Sequence, residues 1–199
     1  KPHQMDGMKF CLNREINEKN GIRGGIISDE MGLGKTILML GCIATNPASD
    51  PKKNRNLIVL TPAILSQWTK IIRKFLGFEP LVYHGLEAKS CTKEQLETAT
   101  CVVTTYGMIS ARSGKSSRLW EINWHRLIMD EAHHIRNMKT AGFFGAMQIK
   151  ATIKWMVTGT PIQNTFGDFY ALCAVAGLKP AFYANPKLIK TIVTDHVLR

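Results

Sequence analysis

The chain has 199 residues, 45% of them hydrophobic and 21% charged, which suits one soluble globular domain with a sizeable core. Lysine and arginine number 26 against 15 acidic residues, a net charge of +11 that suggests a polyanionic partner without saying which. No apolar run approaches the roughly 20 residues of a membrane helix, and Cys11, Cys42, Cys91, Cys101 and Cys173 form no C-x-x-C pair, so no membrane role and no zinc or disulfide framework is expected.

The chain begins at Lys1 rather than Met and is read as an excerpt of a longer protein. "QMDGMKFCLNREIN" puts Met5, Met8, Leu12 and Ile16 on one helical stripe, expected to face the core. The apolar run "GGIIS" at 24 follows, and then "SDEMGLGKT" at 28–36. The general phosphate-loop pattern asks for glycine at position 29, where Asp29 stands, so an ordinary glycine turn is the rival reading. Against that, Gly32 and Gly34 permit close backbone approach to an anion. Lys35 supplies a charge for the β and γ phosphates, and Thr36 a hydroxyl for Mg²⁺. "KTILMLGCIA" reads as a helix, so the loop sits at a helix N-terminus, where free N–H groups favour phosphate.

Further apolar runs recur: "LIVLT" at 57, "PLVYH" at 80, "CVVTT" at 101, "RLIMD" at 126 and "KWMVTG" at 154. They lack polar alternation, as strands buried on both faces do. Between them, "ILSQWTKIIRKF" places Ile64, Leu65, Trp68, Ile71, Ile72 and Phe75 on one helical stripe that Gly77 ends. "PKKNR" at 51–55 and "ARSGKSSR" at 111–118 read as solvated basic loops. Alternating strands and helices imply an α/β fold, an open and mostly parallel sheet with helices on both faces.

Polar groups follow the strands: Thr61-Pro62, Thr104-Thr105-Tyr106, Asp130-Glu131-Ala132-His133 and Thr158-Gly159-Thr160-Pro161. Ligands bind at strand carboxyl ends in open α/β sheets. The recurrence therefore favours a working nucleotide site over a chance Gly-Lys-Thr. An apolar strand ending in Asp130 matches a Walker B carboxylate holding Mg²⁺, and Glu131 beside it is placed to orient and deprotonate the attacking water. His133 and His134 lack a third ligand at metal spacing, and His84, His125 and His196 are read as structural.

Taken together, these segments resemble the first RecA-like lobe of superfamily 2 ATPases of the SWI/SNF chromatin-remodelling type, and most resemble the branch of helicase-like transcription factor and transcription termination factor ATPases. "KPHQ" resembles the Q motif, which implies adenine recognition by Gln4. "DEMGLGKT" matches that family's own motif I, in which Asp29 is usual, and implies nucleotide binding by Asp29, Gly32, Leu33, Gly34, Lys35 and Thr36. "LTPAILSQW" and "VVTTYGMI" resemble motifs Ia and Ib, "DEAHHIRN" motif II and "VTGTPIQN" motif III. The resemblance implies an ATP- and Mg²⁺-dependent translocase on double-stranded DNA, acting on nucleosomes or transcription complexes in the nucleus, or in the cytoplasm if viral. It implies DNA contacts at Thr61, Pro62, Ser66, Trp68, Thr104, Thr105 and Tyr106, with Trp68 equally readable as core. Thr158, Gly159 and Thr160 would couple hydrolysis to movement of a second RecA-like lobe. The lobe is expected over 1–180, with 181–199 starting the connection to the second. A strand-separating DNA or RNA helicase is the alternative, since "DEAH" is also that class's motif II.

Overall fold

Runs of Val, Ile and Leu become strands here because each can place alternate side chains into a different core. The computed structural model describes residues 2–28, 34–110, 116–159 and 166–198. In chain order it contains α1 (Pro2–Ile16), β1 (Gly24–Ser28), α2 (Gly34–Thr45), β2 (Asn56–Leu60), α3 (Pro62–Leu76) and β3 (Leu81–Tyr83). Short helices α4 (Glu87–Ser90) and α5 (Lys93–Thr98) lead to β4 (Cys101–Thr105), α6 (Tyr106–Ile109) and β5 (Asn123–Asp130). After them come α7 (Ala141–Gln148), β6 (Lys150–Thr158), α8 (Phe166–Ala176), α9 (Pro180–Tyr183), α10 (Ile189–His196) and β7 (Val197–Leu198). The strands form one seven-stranded sheet in the order β3-β4-β2-β5-β6-β1-β7. Every pairing in it is parallel.

Alternation along the strands fills two cores. Ile27, Ile58, Leu60, Val103, Ile128 and Val157 meet Cys11 of α1, Met39 and Leu40 of α2, and Trp68 and Ile72 of α3. Their neighbours Ile26, Leu57, Val59, Val102, Leu127, Met129 and Met156 face the other way, toward Phe143 of α7, Phe169 and Leu172 of α8, and Ile192 of α10. Helix α3 starts with Pro62 at its first position and ends on Gly77, whose φ of 75° is the left-handed closure that glycine tolerates. Its stripe is buried at Trp68 and Ile72, but Phe75 in its last turn is 54% exposed. The doublet opening β1 is required by crowding. A Cβ on Gly24, at φ 97°, would lie 2.2 Å from the Lys154 carbonyl oxygen, and one on Gly25 would lie 2.4 Å from that of His196.

Toward its C-terminus the chain returns to the sheet: Val197 and Leu198 pair in parallel with Ile26 and Ile27, and Ile192 is buried. The open edge of β1 and the apolar side of α10 account for this. The turn between α1 and β1 fastens the same corner, with Lys19 Nζ 2.5 Å from Asp195 Oδ1 and Asn20 Nδ2 2.8 Å from His196 Nε2. Helix α1 turns a different face inward than its methionines suggest. Met5 and Ile16 are exposed, whereas Cys11, Arg14 and Glu15 are buried.

Glu15 explains that orientation. Its carboxylate is fully buried and receives Arg126 Nε at 2.7 Å and Nη2 at 2.6 Å, Trp155 Nε1 at 2.8 Å and Asn46 Nδ2 at 2.8 Å. Arg126 also donates to Asn56 Oδ1 at 2.6 Å and to the Asn46 carbonyl at 2.9 Å. One bidentate pair thus joins α1, the end of α2, β2, β5 and β6. Such a pair need not add net stability, but removing one partner strands the other's charge in the core, at a cost of about 3–5 kcal/mol. Glu15→Gln and Arg126→Met should each destabilise by that amount in chemical unfolding, and the double variant by clearly less than their sum. Additive losses would show that the pair does not act as a unit.

His196 gives a pH signature. Burial, with help from the nearby Arg14 and Lys19 charges and against that of Asp195, lowers its pKa from 6.5 to about 4. The folded state therefore holds His196 neutral while the unfolded chain takes up a proton below pH 6.5. Stability is full above that value and is lost as pH falls toward 4, by on the order of 3 kcal/mol. Urea unfolding at pH 7 and pH 5 should show a loss in the wild type that His196→Gln reduces. An equal loss in both would remove His196 as the cause.

Candidate active site

Parallel pairing brings the strand carboxyl ends to one edge. Ser28 pairs with Thr158, Asp130 with Val157 and Leu60 with Thr105, so the segments after β1, β2, β4, β5 and β6 open side by side. Lys35 and Thr36 lie in the first turn of α2, directly beyond β1, and are 8% and 9% exposed. Main-chain N–H groups of that turn have no intrahelical acceptor and favour an anion.

Asp130 ends β5 with 9% exposure. Its Oδ1 accepts the Glu131 N–H at 2.9 Å, and its Oδ2 accepts Trp68 Nε1–H at 2.8 Å. Burial raises its pKa, while those two hydrogen bonds and the Lys35 charge pull it down. Lys35 is therefore within electrostatic reach of Asp130. Glu131 adopts φ 53° and ψ 46°, a left-handed conformation that costs a non-glycine residue about 1 kcal/mol or more and that gathers at functional sites. The kink turns its side chain off the strand line. His133 Nδ1 lies 3.3 Å from Glu131 Oε2, without the alignment of a hydrogen bond. His133 stacks on His134 at 4.7 Å, and His134 lies 5.2 Å from the Tyr106 ring.

The donors fit a hard cation carried with phosphates. Mg²⁺ binds through one or two protein oxygens and completes its sphere with phosphate and water, and the Thr36 hydroxyl and Asp130 carboxylate supply such oxygens. Among the described residues no group of three or more His, Cys, Asp or Glu side chains is placed to hold a metal alone.

Residues expected on a DNA-facing edge divide. Pro62 and Ser66 are exposed and Thr61 is half-buried. Trp68 is 2% exposed and directed at Asp130, so it is not a DNA-facing side chain. Thr104 is fully buried and donates to the Tyr83 carbonyl at 2.8 Å. Thr105 is also buried, with its hydroxyl 3.1 Å from His84 Nδ1. The last residues of a central parallel strand point into the two cores, which is why these threonines cannot face outward. Tyr106 is half-buried, and its hydroxyl donates to the Asp130 main-chain oxygen at 2.6 Å. Thr158 is buried at the end of β6 and Gly159 is half-buried beyond it. Asp29, Gly32, Leu33 and Thr160 lie outside the described residues, as does the side chain of Gln4; Gly34 opens α2.

Sequence reading missed that Trp68 and Tyr106 both bind Asp130. A buried tryptophan N–H needs an acceptor, and that requirement is the one signal in the sequence that pointed beyond simple packing.

Comparison with known proteins agrees with this geometry. The SNF2-related domain profile matches residues 3–190. An uncharacterized ATP-dependent helicase of Schizosaccharomyces pombe is 32% identical over 89% of this chain and 19% of its own length. DNA repair protein rad8 of the same organism is 32% identical over 79% of this chain and 16% of its own. The chain thus spans less than a fifth of either relative. Among solved structures, the Sulfolobus solfataricus SWI2/SNF2 ATPase core in complex with dsDNA superposes with a TM-score of 0.77 at 23% identity, covering 100% of this chain and 44% of that one. Family match and fold coincide: the chain belongs to the SNF2-related domain family, and its parallel sheet has the RecA-like fold of the archaeal core.

Proposed function

We propose that this lobe binds ATP with Mg²⁺ and hydrolyses it, within a protein that translocates on double-stranded DNA and remodels protein–DNA complexes in the nucleus. The observation that carries the reading is the convergence of Lys35, Thr36, Asp130 and Glu131 at one sheet edge, beside the exposed start of α3. Membership of the SNF2-related family supports it, as does the dsDNA bound by the archaeal ATPase core of like fold.

In this mechanism Gln4 recognises the adenine, and Asp29, Gly32, Leu33 and Gly34 contribute to nucleotide binding. Lys35 pairs with the β and γ phosphates. Thr36 and Asp130 would hold Mg²⁺, which when bound would supply charge neutralisation at the transferring phosphoryl group. Glu131 orients water and takes its proton. Thr61, Pro62 and Ser66 offer hydroxyl and main-chain groups to the DNA backbone, contacts that position without reading sequence. Thr158, Gly159 and Thr160 link turnover to a second RecA-like lobe. That lobe provides the positive charge needed on the γ phosphate at the transition state.

Glu131→Gln should keep nucleotide binding and lose turnover by about 10²-fold or more, because an amide cannot accept the proton. Near-normal hydrolysis by this variant would end its assignment as base. ATPase assays with duplex DNA, single-stranded DNA, RNA and no nucleic acid, on this chain alone and joined to a second lobe, test the whole reading. Duplex should stimulate most, and the joined form should exceed the isolated chain by ~10³ to 10⁵, the range of an arginine finger. Stimulation by single strands instead would favour a strand-separating helicase.

A further inference from the structure

We propose that Trp68 and Tyr106 are positioning residues that transmit occupancy of the DNA-facing edge to the carboxylate of Asp130. The inference rests on the function proposed above and adds the route within this chain. All three kinds of oxygen on Asp130 have a donor. Oδ1 takes the N–H of Glu131, Oδ2 takes the Trp68 indole, and the main-chain oxygen takes the Tyr106 hydroxyl. Two of these donors come from the segments expected to face a polyanion.

Trp68 sits on α3 two residues beyond Ser66, on the opposite side of the helix, so Ser66 is exposed where Trp68 is buried. Its indole is a rigid plane locked among the core side chains under α3. Any small rotation of α3 on loading its outer face moves the Nε1 donor against Oδ2. Tyr106 starts the segment after β4, next to exposed Gly107, and its own carbonyl is held by Ser110 Oγ at 2.7 Å. The Tyr106 hydroxyl donates to the Asp130 main-chain oxygen. Its bond falls on the peptide that leads into the left-handed Glu131. One donor thus sets the metal-holding oxygen and the other sets the main chain between that oxygen and the base.

Coupling of this kind is reciprocal: whatever factor duplex adds to metal–nucleotide affinity, metal–nucleotide adds to duplex affinity. Full-length protein supplies both measurements, anisotropy of a labelled duplex with and without Mg²⁺ and a non-hydrolysable ATP analogue, and Mn²⁺ binding by electron paramagnetic resonance with and without duplex. The wild type should show equal factors of about 5 to 150. Trp68→Phe and Tyr106→Phe, which keep the ring and delete the donor, should each bring the factor down several-fold toward one. Trp124→Phe deletes another buried indole bond, to the Leu119 carbonyl at 3.0 Å, and should leave the factor unchanged. A wild-type factor that persists in both test variants overturns the proposal and leaves the function intact, and so does an equal loss in Trp124→Phe. A wild type that binds no duplex overturns the function as well. Should a variant fail to fold, unaltered protein carrying 5-fluorotryptophan decides the matter: duplex must shift the Trp68 fluorine resonance, and an unmoved signal overturns the route.

Discussion

A guanidinium with no access to water, that of Arg126, sets the frame on which the lobe is built. Burying it requires a carboxylate and several carbonyls, and they come from four other elements: Glu15 of α1, Cys42 and Asn46 at the end of α2, Asn56 of β2, and Trp155 of β6 through Glu15. None of those partners can shift without leaving a buried charge or donor unsatisfied. The pair therefore fixes the rotation of α1, the helix that carries Gln4, and the direction of α2. A hydrophobic contact could glue the same helices but would tolerate sliding, whereas a bidentate pair does not.

With the helices fixed, double-sided burial of the strands decides where chemistry can occur. Side chains along β2, β4, β5 and β6 are consumed by the two cores. Functional groups can then appear where strands run out, and an all-parallel sheet runs out at one edge for every strand. The cost falls on the residues at the boundary. Asp130 is nearly buried, and two hydrogen bonds and the Lys35 charge work against the desolvation that raises its pKa. Glu131 leaves the strand by a left-handed kink, local strain that turns its carboxylate away from that of Asp130.

Much of this was legible in the sequence because the signals are local. "LIVL" and "RLIMD" are apolar without alternation, and they are strands buried on both faces. Gly77 after α3 marks a turn that only a few residues permit. The rest was hidden because it is tertiary. The inward face of α1 is defined by Arg14 and Glu15, so an apolar stripe was the wrong guide to it. Strand β7 has two residues, too few for any pattern. Thr104 and Thr105 were rightly placed at a strand end, but which way a terminal side chain points depends on the neighbouring strands and not on its own position.

Strand β5 shows how a structural charge and a functional one coexist. Arg126, Ile128 and Asp130 alternate with Leu127 and Met129, so all three face the side of the sheet covered by α1, α2 and α3. Four residues of strand separate the two charges by roughly 13 Å. Ile128 lies between them in the apolar core, where little water screens a field. An unpaired Arg126 would then act on Asp130 along the strand and hold its carboxylate low in pKa. Bidentate pairing with Glu15 cancels that field at its source, and among the described residues the charges acting on Asp130 are those of Glu131 and Lys35. The pair that fixes the helices is therefore also what leaves the electrostatics of Asp130 to its own neighbours. Replacing Glu15 by a neutral residue would affect the site through charge as well as through the position of α1.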